Sequence, residues 1–365
     1  MLVYIILYSL ILLIGIYSYK NKLNSKYFLW IALFMMALVL GLRSSGVGED
    51  TSMYLSMARV CQDKSFLEIL KGFPKSEWKF IDYGNGLGYS DKIETFYLMY
   101  VKLIMAIFHN ENMVLFITAF ISYFCIGKFI LEFREKNSDV YIILFVLLCD
   151  NIFMFSFNGM RQILAMSIFL QAFTCFKNNK KLSAILYIFI AFCIHQSTII
   201  MIFPLFLYSF KNKKKIFKYV LMFSVILPML LPVFQIIIVN FFPKYSKYLK
   251  VSYWEASIKG TILLWVFLIG VLLWIMLSKK KNEFDYYYAM LIILYLAFEF
   301  VAIRFTMLSR VSLYFRFFMG FFLCKGKDKI HGNSRVLYLM ALFVLMSASF
   351  FSYSSSPWRI YSTWL

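Results

Sequence analysis

Long apolar stretches, separated by short and mostly basic connections, run from one end of the chain to the other. Most hold 16 to 20 residues, and ~20 apolar residues are needed to cross a ~30 Å hydrocarbon layer as a helix. The pattern predicts an all-α fold, a polytopic transmembrane helical bundle of about 12 to 14 segments. The predicted segments are residues 2–19, 27–42, 94–109, 112–132, 139–157, 160–176, 182–194, 197–210, 216–239, 261–277, 286–303, 309–324 and 336–353.

The composition supports this interpretation, because 62% of the 365 residues are hydrophobic and only 15% are charged. The first stretch has no basic residue before its apolar run and no small-residue cleavage site after it. We therefore interpret it as a first span and not as a signal peptide. No internal repeat suggests inverted halves, and residues 1–365 are expected to form a single integral membrane domain.

The net charge of +20 collects in short basic loops between the apolar segments. Lys and Arg mark cytoplasmic loops, so the distribution favours a multi-pass membrane protein, in contact with lipid, over a nucleic-acid-binding protein. Residues 43–93, with seven basic and seven acidic residues, are expected to form an extracytoplasmic loop region. The turns at Asn158 and His195 and the connections 240–260 and 304–308 are expected on the same external side.

One inconsistency concerns the segments 94–109 and 112–132. They lie between an external region and a cytoplasmic loop, and this change of side requires an odd number of crossings. We therefore expect region 50–110 to contain a re-entrant or interfacial helix that does not cross the membrane.

No pattern indicates a metal or a cofactor. Five of the six cysteines lie in or at the ends of apolar segments, and none forms a CxxC or a metal-ligand spacing. P-loop, dinucleotide-binding and HExxH patterns are also missing from the sequence. We expect neither a metal site nor a cofactor.

Arg161 is the clearest candidate for chemistry, because an arginine at the external end of a helix opposes the positive-inside tendency. It follows the Asn158–Gly159 turn and precedes Gln162, so it lies at a helix N-terminus, where free N–H groups and the helix dipole favour an anion. This position predicts an anion site. The alternative is an arginine that only extends to the membrane interface.

Two further external helix ends carry an arginine. In LGLRSSGVGEDTSMY (40–54), Arg43 ends a span, and Asp50 with Thr51 can cap a helix that continues through Tyr54. In LSRVSLYFRFF (308–318), Arg310 starts a span as Arg161 does. An ordinary capped interfacial helix is the alternative for the first of these.

Histidine and acidic residues supply candidate groups for proton transfer. His195 lies between two short apolar segments, where an imidazole can act as a general acid or base or serve as a hydrogen-bonded structural residue. Glu94 starts the third apolar segment and could be a base or a sugar ligand. Asp150 and Glu299 lie inside apparent spans, where each could pair with an arginine or belong to a proton path.

Several motifs, in order over residues 40–320, resemble the EpsG-like family of Wzy-type polysaccharide polymerases. The most specific part is an Arg-Gln helix followed about thirty residues later by an FxIHxS turn. The motifs are LRSSGVGEDTSMY, IETFYLMYVKL, NGMRQILAMSIFLQAFTCFKNNKK, LSAILYIFIAFCIHQSTIIMIFPL and LSRVSLYF.

The resemblance implies a membrane glycosyltransferase, a polysaccharide repeat-unit polymerase, on the external face of the bacterial inner (plasma) membrane. Its substrates would be oligosaccharide repeat units linked to a polyprenyl pyrophosphate such as undecaprenyl pyrophosphate, for O-antigen, capsule or exopolysaccharide synthesis. A flippase and a chain-length regulator are the protein partners that it implies. The growing chain would leave its carrier and join the next lipid-linked unit, without a nucleotide sugar.

A pyrophosphate leaving group needs arginines and helix N-termini to stabilise its charge. We expect Asp50, His195 and Arg161 to be catalytic, with Asp50 and His195 competing for the role of base. The residues expected to bind substrate or pyrophosphate are Arg43, Arg161, Gln162, Arg310, Tyr54 and Glu94.

Two other functions use the same residues. A transporter or flippase of lipid-linked oligosaccharides would bind the same pyrophosphate, but the missing repeat and the clustering of candidates on one face argue against it. An O-antigen ligase-like transferase, or an acyltransferase, is the second. A ligase would usually show one dominant external loop late in the chain, whereas the longest one here comes early.

Overall fold

The computed structural model describes residues 1–71, 93–241, 258–305, 307–355 and 360–364. Within these ranges the chain forms 18 α-helices and one 3-10 helix at Gln196–Met201. The α-helices are α1 (Leu2–Lys20), α2 (Ser25–Gly41), α3 (Thr51–Asp63), α4 (Phe66–Lys71), α5 (Thr95–Phe108), α6 (Asn112–Phe133), α7 (Asp139–Cys149), α8 (Asn151–Phe155), α9 (Met160–Lys177), α10 (Lys181–Ile194), α11 (Ile202–Ser209), α12 (Lys213–Met229), α13 (Leu231–Phe241), α14 (Ile258–Leu277), α15 (Glu283–Ala302), α16 (Leu308–Arg316), α17 (Met319–Lys329) and α18 (Asn333–Ser354).

The helices coincide with the predicted apolar segments, which confirms the all-α fold class. Some predicted segments are interrupted: α7 and α8 separate at Asp150, and α16 and α17 separate at residues 317–318. The break between α12 and α13 follows Pro228, which lacks the N–H that a continuous helix requires.

Helices of membrane-spanning length account for only part of this all-helical structure. In the described part of the chain, four helices are long and apolar enough to cross a membrane, namely α1, α6, α15 and α18. Other apolar helices, such as α2 and α10, are shorter. The predicted total of about 12 to 14 segments therefore stays a prediction.

Region 43–93, which is predicted to be extracytoplasmic, contains helical structure. Helices α3 and α4 occupy Thr51–Asp63 and Phe66–Lys71, and α3 directs Met53, Tyr54 and Met57 into a buried apolar cluster. Residues 72–92, with the glycine-rich DYGNGLGYSD, lie outside the described residues.

Both ends of helix α5 lie near the N-terminal ends of α6 and α9. At its start, Glu94 contacts Arg161 in the first turn of α9. At its end, three residues separate Phe108 from Asn112, where α6 begins. The start of α5 therefore lies at the N-terminal end of α9, and its end lies next to the N-terminal end of α6.

The described helices divide into two compact units. The first contains Met1–Leu144, Phe153–Ile199 and Phe350–Leu365, and the second contains Phe145–Ile152 and Ile200–Ser349. Each unit is a group of helices that pack together. The expectation of a single membrane domain stays a prediction.

In the first unit, the C-terminal segment 360–364 binds the end of α2. The backbone N–H of Trp364 donates to the carbonyl of Leu42 at 3.2 Å, and the Trp364 indole N–H donates to Gly41 at 3.0 Å. The N–H of Ser44 donates to the carbonyl of Ser362 at 2.9 Å. These bonds fix the chain where it leaves α2 and approaches α3.

In the second unit, basic loops meet acidic residues at the start of α15. The backbone N–H of Lys213 donates to Glu283 at 2.6 Å, and Lys329 Nζ lies 2.7 Å from the carboxylate of Asp285. Asp285 also completes a capping box with Asn282. The basic loops before α12, before α15 and after α17 therefore lie together at one end of this unit, as the prediction of a shared cytoplasmic side requires.

The second unit also contains a buried ion pair between Asp150 and Arg316. Arg316 Nε lies 2.6 and 2.8 Å from the two carboxylate oxygens of Asp150. Both side chains are at most 3% exposed. Of the two alternatives for Asp150, a pair with an arginine is confirmed, while Glu299 forms a hydrogen bond with Ser312.

Candidate active site

Arg161 lies in the first turn of α9, as the sequence predicted. The residue before this helix is Gly159, which has no side chain to cap the first N–H groups. A Cβ atom at this position would lie 2.0 Å from the ring of Phe155, so the close turn before α9 requires glycine. The first turn of α9 therefore presents its N–H groups together with a guanidinium, an arrangement that favours an anion.

Glu94 connects Arg161 with His195. Its Oε2 accepts a hydrogen bond from Arg161 Nη1 at 2.5 Å. Its Oε1 accepts the backbone N–H of Gln196 at 3.1 Å and lies 3.4 Å from His195 Nδ1. Arg161 and Glu94 are each 13% exposed, and His195 is 19% exposed. One carboxylate thus positions two residues that the sequence analysis had treated separately.

His195 caps the C-terminus of α10 in an extended conformation. Because a carboxylate can only accept hydrogen bonds, the imidazole tautomer with its proton on Nδ1, the nitrogen that faces Glu94, is favoured. This leaves Nε2 as the nitrogen that can accept a proton from another group. Within the described ranges, no residue forms a hydrogen bond with Nε2.

The surroundings of Glu94 favour its ionised form. Burial raises its pKa, but His195, the charge of Arg161 and the N–H of Gln196 together outweigh that effect, so the pKa of Glu94 is lowered. The carboxylate is therefore negative at neutral pH and offsets the charge of Arg161.

Two tyrosines surround Arg161. Its Cζ atom lies 5.6 Å from the ring centroid of Tyr97, and Tyr54 lies within electrostatic reach of it. The Tyr54 hydroxyl donates to the carbonyl of Asn158 at 3.3 Å. Burial raises the pKa of Tyr54, which keeps its phenol neutral. Arg161 Nε is buried and has no hydrogen-bond partner within the described part of the chain, so the guanidinium retains a donor.

Arg43 lies inside the protein, below the loop 43–50. It is 1% exposed. Nη1 donates to the carbonyl of Leu40 at 2.6 Å, Nη2 to that of Phe157 at 3.3 Å, and Nε to the hydroxyl of Thr51 at 3.1 Å. Burial lowers the pKa of Arg43 to about 10. The guanidinium connects the end of α2, the start of α3 and the turn before α9.

The other predicted site residues lie in different surroundings. Asp50 is the residue before α3, although its side chain makes no capping hydrogen bond. Gln162 is 3% exposed within α9. Arg310 is exposed in α16 of the second unit. The structure thus joins Tyr54, Glu94 and Arg161 with His195, and the catalytic and binding roles of all the predicted site residues stay predictions.

The loop 43–50 contacts the turn that precedes α9. The N–H of Glu49 donates to the side-chain oxygen of Asn158 at 2.9 Å. Gly48 has φ of +91°, and a Cβ there would lie 2.7 Å from the carbonyl oxygen of Phe157. The glycine-rich motif therefore lets two backbone segments approach each other beside Arg161.

Sequence reasoning did not find the double contact of Glu94. The available signal was its place at the start of an external apolar segment, on the side where Arg161 and His195 were already expected. Charges of opposite sign on one membrane face tend to pair. No group of three or more His, Cys, Asp or Glu residues that could hold a metal ion occurs in the described ranges.

Comparison with known proteins gives one match. A family model described as the EpsG family matches residues 26–363. No curated protein sequence and no solved structure matches the chain significantly.

Proposed function

Because the chain belongs to the EpsG family, which is associated with Wzy-type polymerases, we propose that it is a polysaccharide polymerase of the bacterial inner membrane. It joins polyprenyl-pyrophosphate-linked oligosaccharide repeat units on the external face. The family indicates a membrane protein of polysaccharide synthesis. The contact of Glu94 with both Arg161 and His195 is the observation that carries the proposed reaction.

The transfer uses His195 as base. The acceptor hydroxyl oxygen attacks the anomeric carbon of the growing chain, and the bond from that carbon to the pyrophosphate oxygen breaks. The hydroxyl proton moves to His195 Nε2, and polyprenyl pyrophosphate leaves. Glu94 holds the imidazole by its Nδ1 side and stabilises the imidazolium that forms, as the carboxylate does in a Ser-His-Asp triad.

Arg161 stabilises the leaving group. Its side chain is 13% exposed, and the first turn of α9 adds backbone N–H groups. Before the reaction, Glu94 and Arg161 form a neutral pair. The positive charge on His195 then appears as negative charge develops on the pyrophosphate, so the site gains charge complementarity in the transition state.

Tyr54 and Asp50 lie at the edge of this site. Tyr54 is 2% exposed and donates a hydrogen bond to Asn158, so it supports the turn before α9, and its contact with substrate stays a prediction. Arg43 is buried and holds the loop 43–50 in position by its hydrogen bonds. Gln162 is a packing residue of α9. Arg310 belongs to the second unit, and its predicted role in binding pyrophosphate stays a prediction.

The proposed topology places the site on the external face. The first unit has Tyr4, Phe157 and Tyr361 together at one end. At the other end, Ser18 bonds Tyr141 at 2.9 Å, beside the basic loops. In this topology α3, α4 and α5 stay at the external side. The remaining segments cross the membrane about 12 times, if each interrupted pair of helices is counted as one crossing. Helix α5 is then re-entrant or interfacial.

Reconstitution of the purified protein tests the proposal. A strain that lacks the gene should accumulate single lipid-linked repeat units, which supply the substrate. The protein alone in proteoliposomes is expected to convert them into a ladder of polymers. His195→Ala should remove the ladder and added imidazole should restore part of it, whereas His331→Ala, an exposed histidine, should leave it unchanged.

The same reconstitution separates polymerisation from transport. If the protein moves the lipid-linked units across the membrane and forms no ladder, the polymerase proposal is wrong and the transporter function is favoured. If ladder formation is unaffected by His195→Ala, the protein is a polymerase but the proposed base is wrong.

A further inference from the structure

A buried acid, Glu299, lies in the second unit beside the Asp150–Arg316 pair. It belongs to α15 and is 2% exposed. Its Oε1 atom forms a hydrogen bond with Ser312 of α16, and its Oε2 atom is buried with no hydrogen-bond partner in the described part of the protein. Glu299 therefore lacks the set of donors that a buried carboxylate needs.

The charges around Glu299 do not balance if it is ionised. Arg316 and Asp150 are the charged groups that act on it. Arg316 already forms a bidentate pair with Asp150, and its guanidinium lies 5.3 Å from the ring of Tyr295. Two carboxylates with one guanidinium would leave an uncompensated negative charge in the interior, which is strongly unfavourable.

The opposite face of α15 is apolar. Ala297 and Val301, two positions to either side of Glu299, pack with Leu227 of α12 in one buried cluster, and residues two positions apart on a helix do not share a face. In the described part of the chain, Glu299 interacts with Ser312, Arg316 and Asp150, and none of them supplies a hydrogen bond to its Oε2. These surroundings favour a neutral group at this position.

The hydrogen bonds of Ser312 point to the same result. Its Oγ atom lies 2.7 Å from the carbonyl oxygen of Ser309 and also bonds Glu299 Oε1. A hydroxyl has one proton to donate, and a carbonyl oxygen can only accept. If Ser312 donates to Ser309, the proton of the second bond must come from the carboxyl group of Glu299.

We propose that Glu299 holds a proton at neutral pH, and that Glu299 and Ser312 form a buried proton-binding site beside the Asp150–Arg316 ion pair. The protonated carboxyl donates to Ser312, which donates to Ser309 and so ties α15 to α16. Release of this proton would place a second negative charge beside Asp150. The site therefore couples the packing of α15 and α16 to proton binding, independently of the reaction proposed for the first unit.

Infrared spectroscopy of the purified full-length protein in lipid nanodiscs tests this site. At neutral pH, the wild-type spectrum should contain a protonated carboxyl C=O band that shifts down in D2O. Glu299→Gln should remove that band, because the amide keeps the hydrogen bonding without an acid. Glu132→Gln, which changes a partly exposed acid paired with Lys177, should retain it. Loss of ionised carboxylate bands in Glu299→Gln, with the acid band unchanged, would overturn the proposal.

Ser312→Ala gives a second measurement that retains Glu299. Removing the acceptor of the carboxyl proton should shift the C=O band to higher frequency, because the hydrogen bond on the acid group is lost. A protein without any protonated carboxyl band in both wild type and Ser312→Ala contradicts the proposal even if Glu299→Gln does not fold. Circular dichroism and size-exclusion chromatography establish the folding of each variant.

Discussion

Arg161 donates a hydrogen bond to Glu94 at 2.5 Å, although the two residues are 67 positions apart in the sequence. The same carboxylate lies 3.4 Å from the imidazole of His195. The site depends on this shared carboxylate, and a change of Glu94 should therefore affect both neighbours at once.

Glu94→Gln should abolish most of the polymerase activity while the protein still folds. The amide cannot stabilise an imidazolium and no longer neutralises Arg161, so we expect a loss of about 10²–10⁴-fold, the usual contribution of general base catalysis. Ladder formation by the purified variant measures this loss. The matched control is Glu132→Gln, which removes an exposed pair with Lys177 and should retain full activity. Similar losses in both variants would contradict the special role of Glu94.

The stabilisation by Glu94 should depend on pH in a defined direction. Its pKa is lowered in the folded protein, so its contribution is fully present above the unfolded pKa of about 4.3 and is lost as the pH falls through the lower, folded value. The difference in thermal stability between wild type and Glu94→Gln should therefore not decline as the pH falls from about 8 to 5. Thermal unfolding in detergent measures it. A difference that declines between pH 7 and 5 would contradict the lowered pKa.

Arg43 and Arg310 should respond to substitution in different ways. Arg43 is 1% exposed and bonds two backbone carbonyls and Thr51. Arg43→Ala should therefore lower the melting temperature, since each lost hydrogen bond to a charged group costs roughly 1.5–3 kcal/mol. Arg310→Ala, at an exposed position, should keep the melting temperature and reduce ladder formation. If Arg310→Ala is fully active, Arg310 does not bind pyrophosphate.

Two glycines in the same loop provide a matched pair. Gly48 has a positive φ of +91° and faces the carbonyl of Phe157, whereas a Cβ at Gly46 would meet no atom within 4 Å. Gly48→Ala should cost at least about 1–2 kcal/mol and reduce activity by displacing the loop from the turn before α9. Gly46→Ala should be neutral. Melting temperatures and ladder formation of the two variants decide this, and equal behaviour would show that the close approach is unimportant.

The proposed topology predicts the side of the membrane from which a cysteine can be labelled. Asn110→Cys, after the end of α5, should react with a membrane-impermeant thiol reagent from outside the cell. Asn179→Cys, in the turn between α9 and α10, should react only after the membrane is opened. Reaction of Asn110→Cys from the cytoplasmic side alone would mean that α5 crosses the membrane. A variant without the native cysteines is the background for both measurements.

The sequence predicted the helical segments well, because apolar length alone determines which stretches can enter a membrane. It also placed Arg161 at a helix start and His195 at a turn. It did not predict that Arg43 is interior, since the carbonyl of Phe157 that it bonds is 114 positions away. The contacts of Glu94 were missed for the same reason: apolar periodicity locates segments but does not specify which loops meet.

The double contact of Glu94 also has a consequence for biogenesis. During synthesis, Glu94 emerges from the ribosome before either Arg161 or His195 has been made. The carboxylate therefore cannot form either contact until α9 and the turn after α10 have been synthesised. The order of the segments along the chain thus prevents the candidate site from assembling before about half of the protein has been made.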